Sequence, residues 1–216
     1  MKAYLTIALI ALSVYNAEAQ SKSDSIAGEY YLTGVREMAS GFWLKSDSSF
    51  EFFFSYGALD RAGKGRWRLN DARQIILTSG PRPAADFALT GSSTKKDYKG
   101  VMFIIVHNNP LVLATTIFRL QTASGEVDQK TNSHGEAMFP AGNYDKVQVL
   151  FELCPDRFTT IQLPKGNFNE FSFRMEDWIT EVFFDQFRLN VKDGQLTGPH
   201  PLMDGKEFVY QRNNSQ

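Results

Sequence analysis

The chain has 216 residues, 43% of them hydrophobic, with 23 basic and 24 acidic side chains and a single cysteine. A formal net charge of −1, with no Lys/Arg run denser than Lys95-Lys96, lacks the basic footprint that nucleic acid or an anionic membrane surface requires. One cysteine cannot form an internal disulfide, so stability has to come from a hydrophobic core, for which 18 Phe supply material.

At the N-terminus Lys2 gives a short positive region. Ala3 through Tyr15 is apolar apart from Thr6 and Ser13, and Ala17-Glu18-Ala19 is a small-x-small site. That order of features predicts a signal peptide over 1–19, cleaved near Ala19, and a periplasmic or secreted mature protein beginning at Gln20. The apolar run is too short for an ordinary transmembrane helix, and no second long run follows, so no membrane span is expected in the mature form. No cysteine follows the cleavage site to carry a lipid on a new N-terminus. The remainder is long enough for one large or two small domains.

Helical periodicity is nearly absent beyond this point. Short β-rich runs alternate with Gly, Pro, Asn and Asp clusters roughly every 8–12 residues, the pattern of sandwiches and barrels. In the first stretch, 26–90, strands are expected at Gly28–Thr33, Gly41–Lys45, Ser49–Ser55, Gly65–Leu69 and Gln74–Thr78. Ser46-Asp47-Ser48 and Asn70-Asp71 turn the chain between them. Phe50, Phe52 and Phe54 alternate with Glu51 and Phe53, so one face is strongly apolar. Short connections make this an antiparallel meander. Gly41-Phe42-Trp43 and Gly65-Arg66-Trp67 are both G-x-W, and on them the stretch resembles the opening of a lipocalin-like or avidin-like barrel. The resemblance covers about fifty residues and implies a Trp plugging one end of a core.

Polar, turn-rich Gly91–Tyr98 reads as a linker. In the second stretch, 99–164, Val101–Val106 is a continuous apolar run expected to be buried on both faces. Asn108-Asn109-Pro110 is a turn, Ala114–Leu120 a strand, and Ser124-Gly125 and Ser133-His134-Gly135 are further turns. Glu136–Phe139, Lys146–Leu153 and Phe158–Leu163 complete a sandwich-like set. Cys154, after an apolar run, reads as a buried small hydrophobe. Val106-His107-Asn108-Asn109-Pro110-Leu111, Ala114-Thr115-Thr116-Ile117 and the Thr131–Phe139 segment, with its T-x-x-x-G-x-A-x-F pattern, resemble the carboxypeptidase regulatory-like, transthyretin-like sandwich. Asn109 stands where that family usually has Gly before Pro. The resemblance covers about sixty residues and implies a non-catalytic module.

In the third stretch, 167–212, Phe168–Arg174 and Phe187–Val191 read as strands. Asp193-Gly194 is a hairpin signal with Gln195-Leu196 returning, and Asp204-Gly205 precedes a last strand, Glu207–Tyr210. Trp178, Ile179, Val182, Phe183, Gln186 and Phe187 fit a short helix or a bent strand equally well. A few strands cannot bury a core alone, so these are expected to return and complete the first sheet, with the sandwich inserted. Two consecutive independent domains are the alternative. The fold class is therefore all-β: a lipocalin-like meander or partial barrel combined with a transthyretin-like or Ig-like sandwich.

Signals for chemistry are sparse. His107, His134 and His200 sit in separate turns without metal-ligand spacing, and no G-x-S-x-G frame occurs. Glu51, Asp60, Glu136, Asp177 and Glu181 are available acids, but nothing in their spacing pairs them. No catalytic residue, metal or cofactor is assigned. Ser55–Arg61 joins two strong strands and mixes an aromatic, a Gly and a charged pair. With Trp43 and Trp67 on neighbouring strands it could frame a ligand mouth, giving Trp43, Tyr56, Asp60, Arg61 and Trp67 as candidate binding residues. The plainer reading is a turn in which Asp60 caps backbone N–H groups and Tyr56 packs on the barrel end. The function expected is that of an exported, non-catalytic binding or accessory protein of the cell envelope, recognising another extracytoplasmic protein or a small ligand. The alternative is an enzyme acting on a cell-envelope polymer.

Overall fold

Alternation along Ser49–Tyr56 decides the first half of the fold: Phe50, Phe52 and Phe54 point inward, and Glu51 and Phe53 point out. The computed structural model describes residues 26–213; the signal peptide expected over 1–19 lies outside the described residues. Five consecutive strands are antiparallel neighbours: β1 (Gly28–Thr33), β2 (Met38–Leu44), β3 (Ser49–Tyr56), β4 (Leu59–Leu69) and β5 (Gln74–Thr78). The expected turns hold them. Ser48 N–H donates to the Lys45 carbonyl at 3.0 Å, and the Asp47 carboxylate accepts from Ser49 N–H at 2.9 Å. Asn70 Oδ1 accepts from Gln74 N–H at 2.8 Å.

Residues 83–180 form a second compact unit. Its strands are β6 (Phe87–Ser93), β7 (Val101–Ile105), β8 (Thr116–Thr122), β9 (Gly125–Lys130), β10 (Glu136–Phe139), β11 (Lys146–Phe151), β12 (Thr159–Gln162) and β13 (Glu170–Met175). They make two four-stranded sheets, ordered β10-β7-β13-β6 and β12-β11-β8-β9. Stacked Phe103 and Phe118, 5.2 Å apart, and Phe118 with Phe173, 5.2 Å apart, join the two inner faces. Four of the five β7 residues are buried, as a continuous apolar run implies. Asp86, 2% exposed, accepts a two-pronged pair from Arg157 at 2.7 and 2.8 Å. Cys154 is 3% exposed.

Several local expectations shift here. Gly91–Ser93, read as linker, belongs to β6, where it pairs with β13 across a bulge; its polar residues reflect a position at the sheet's edge. Asn109-Pro110 opens a one-turn helix, α1 (Pro110–Ala114), with Asn109 Oδ1 accepting from Leu111 N–H at 3.0 Å, so the following strand begins at Thr116. Phe168–Arg174, placed among the C-terminal strands, overlaps β13, which lies parallel to β7 with Phe171 opposite Phe103. The apolar stripe after it is neither a full helix nor a strand: Asp177–Thr180 makes one 3₁₀ turn, and after an isolated bridge at Glu181 the chain has no regular structure until Phe187.

From Glu181 the chain returns to the first unit. The strands β14 (Phe187–Lys192), β15 (Gln195–His200) and β16 (Met203–Arg212) follow. Asp193 and Gly194, at φ 51° and 75°, provide the left-handed pair that a two-residue hairpin demands. β14 pairs with β5, and β16 pairs with β1. The result is a closed barrel ordered β1-β16-β15-β14-β5-β4-β3-β2, which leaves no open sheet edge.

β4 outruns β5, pairing with it only from Arg66 to Leu69. The segment after Glu181 covers the excess: Val182 N–H donates to the Ala62 carbonyl at 2.8 Å. Gly63 makes room there, since a Cβ would lie 2.6 Å from the Phe184 ring. Phe184 enters the lumen, 5.1 Å from Phe50 and 5.4 Å from Phe52, while Phe42 packs at 5.0 Å on Tyr210. Each such ring contributes about 1.5–3 kcal/mol by burial. Trp67, 3% exposed, lies in the core and donates its indole N–H to the Lys45 carbonyl at 2.9 Å. The fold class is all-β: a closed eight-stranded barrel with additional sheets.

Candidate binding groove on the outer barrel wall

Register across β1–β4 assembles the site. Glu29, Trp43, Glu51 and Lys64 stand opposite one another in one row. The next row is Tyr31, Gly41, Phe53 and Ala62, extended by Glu181, which bridges to Ala62. Residues directly opposite have Cβ atoms about 5 Å apart, so each row is a continuous strip across four strands. Outward positions on a barrel wall are ordinarily polar, yet Tyr31, Trp43 and Phe53 are 42%, 46% and 37% exposed.

Relief comes from the small residues. With no side chain at Gly41 and only a methyl at Ala62, the neighbouring rings stand above a low floor. The Phe53 ring leans over Gly41, where a Cβ would lie 2.8 Å from Cε1 and 2.4 Å from the Tyr30 carbonyl oxygen. The groove encloses about 420 Å³, walled by Tyr31, Trp43 and Phe53 with Glu29, Glu51, Lys64 and Glu181. That volume falls within the range of small-ligand sites.

The walls are braced. Tyr31 and Phe53 meet edge to face at 5.8 Å. Tyr31 Oη donates to Glu29 Oε2 at 2.9 Å, and Asn213 Nδ2 donates to the same oxygen at 3.1 Å. Those two donors hold the Glu29 carboxyl below its usual range, and donation to Glu29 raises the Tyr31 phenol. At the near end Lys45 Nζ lies 4.4 Å from the centre of the Trp43 ring and pairs with Glu51. Three carboxylates thus face two lysines, Lys64 on the wall and Lys45 at its near end.

Of the five residues singled out from sequence, only Trp43 lines this groove. Trp67 points into the core, on the opposite side of the wall. Tyr56, 51% exposed, and Asp60 flank the β3–β4 hairpin, whose Gly57 sits at φ 58°. Arg61 is buried and donates from Nη2 to the Glu181 carbonyl at 3.3 Å. Tyr56 pairs with Met38, five residues along β2 from Trp43, or about 17 Å at strand rise. The five do not share a mouth, and the lumen they would have opened into is filled by rings.

That lumen also holds a buried histidine. His200, 5% exposed, accepts Leu202 N–H at Nδ1 at 3.0 Å, so Nε2 carries the proton toward Ser40 Oγ, also at 3.0 Å. Phe52, Phe54, Phe208 and Tyr210 surround the ring. Burial pushes its pKa down to about 4.

Sequence reasoning missed Tyr31, Phe53, Glu29, Glu51, Lys64 and Glu181 as site residues. A signal was present in Phe53, a large ring at a position that alternation assigns to solvent. Among the described residues, no group of three His, Cys, Asp or Glu side chains converges as a metal site would, and no helix is long and apolar enough to cross a membrane. Comparison of the chain with protein-family models, curated proteins and solved structures finds no match.

Proposed function

We propose that the protein is an exported, non-catalytic binding protein whose ligand occupies the outer-wall groove. One observation carries the reading: strand register brings three large aromatic residues together on a surface where nothing in the barrel buries them, beside a small-residue floor. Exposed aromatic patches of this kind mark recognition surfaces. The order of charge, apolar run and A-x-A before Gln20 supports export. The closed strand order and the buried Trp67 support a lipocalin-like barrel, and the two four-stranded sheets support a transthyretin-like module. The packed lumen argues that the ligand lies outside the barrel rather than inside it.

Native mass spectrometry of the protein purified from its own compartment tests both parts. Intact mass should place the N-terminus at Gln20. A co-purifying ligand should be lost from the double variant Trp43→Ala/Phe53→Ala. A ligand retained by that variant refutes the groove.

A further inference from the structure

The groove's chemistry narrows the ligand class. Its walls combine aromatic rings with three carboxylates, against Lys64 on the wall and Lys45 at its near end. Aromatic faces attract cations through the ring quadrupole, most strongly on Trp. The protein already uses this attraction: Lys45 Nζ lies 4.4 Å from the centre of the Trp43 ring.

The carboxylates are, however, partly engaged. Glu29 accepts from Tyr31 and Asn213, and Glu51 pairs with Lys45. A primary ammonium is strongly hydrated and carries three N–H donors that a ring face cannot accept, so it gives up more on lying against aromatic walls. A quaternary ammonium has no N–H to satisfy. It needs only ring faces and neighbouring negative charge: Trp43, Tyr31 and Phe53 supply the first, and Glu29, Glu51 and Glu181 outnumber Lys45 and Lys64 for the second.

We infer that the groove binds a small free molecule carrying a quaternary ammonium group, seated against Trp43, Tyr31 and Phe53 and balanced by Glu29, Glu51 and Glu181. This rests on the groove reading above. It makes Lys45 an internal competitor for the Trp43 face, so its removal should strengthen binding.

The test is titration of the ¹⁵N-labelled protein with choline, followed through its three indole N–H signals and by calorimetry. Neutral 3,3-dimethylbutan-1-ol, in which carbon replaces nitrogen, serves as the isosteric control. Choline should move the Trp43 signal and leave Trp67 and Trp178 in place. The neutral isostere should bind at least tenfold more weakly. Lys45→Met should bind choline severalfold more tightly, and Trp43→Ala should lose binding; Phe53→Ala, also at an exposed position, should weaken it and provides a second check. Equal affinity for choline and its neutral isostere overturns the inference, as does the absence of any Trp43 shift with choline. Capture by phosphatidylcholine vesicles without a response to free choline overturns it too, in favour of a lipid surface. A Trp43 shift with a neutral oligosaccharide but not with choline removes the cation and leaves the groove reading intact. Retention of the native ligand by the Trp43→Ala/Phe53→Ala protein removes both.

Discussion

His200 makes barrel stability depend on mild acid. Its ring is buried among Phe52, Phe54, Phe208 and Tyr210, with no charged partner among its hydrogen bonds, which run to the Ser40 hydroxyl and Leu202 N–H. Burial lowers its pKa from 6.5 to about 4. Above pH 7 the imidazole is neutral in both folded and unfolded chains and contributes no pH dependence. As pH falls through 6.5 the unfolded chain takes up a proton that the folded ring refuses, and stability falls until the folded ring itself titrates near 4. Linkage between those limits gives a loss of about 2 kcal/mol from pH 7 to pH 5. Urea unfolding should be followed by Trp67 fluorescence in a Trp43→Phe/Trp178→Phe background, because Trp67 alone reports the barrel core. The parent should lose about 2 kcal/mol more than His200→Gln across that interval, whatever the carboxylates contribute to both. Equal losses in the two proteins would refute the claim that His200 is held neutral by burial.

Other expectations follow from packing. Gly65→Ala would place a Cβ 2.2 Å from the Thr78 carbonyl oxygen and 2.8 Å from the Phe50 ring, so the same urea assay should show a loss of about 1–3 kcal/mol. Asp86→Ala removes the two-pronged partner of Arg157 in the second unit and should destabilise that unit by about 1.5–3 kcal/mol, read from hydrogen exchange of the β6 and β12 amides. Cys154, 3% exposed, should resist a thiol reagent in native buffer and react once urea unfolds the chain; prompt native labelling would contradict its burial.

The all-β class was legible because periodicity is a local property. The Phe50–Phe54 alternation, the Asn70-Asp71 turn and the Asp193-Gly194 hairpin each state their geometry within a few residues. The groove was not legible, because register creates it. Glu29, Trp43, Glu51 and Lys64 align only once three hairpins have fixed which residues oppose each other. Glu181 reaches the same wall from a distant part of the chain. The two G-x-W motifs look alike in sequence and separate in structure. At both, the Gly admits a backbone carbonyl and a Phe ring at close range, but Trp67 faces the core and Trp43 faces solvent. A motif cannot say which side of a wall its aromatic takes; the pairing partner can.

Closure of the barrel by strands from opposite ends of the described chain also orders events in time. Until β14 and β16 have emerged, the β1 and β5 edges have no partners, and the ring-rich inner face of the meander is open to water. The whole of residues 83–180 separates β5 from its partner β14 in the chain. Sheet completion therefore waits on contacts of the longest sequence separation, the slowest kind to form, while exposed strand edges invite pairing with other chains. A nascent chain of this design is safest kept unfolded until complete. On the proposal that the chain is exported, passage across a membrane in extended form, followed by folding on the far side, would meet that requirement.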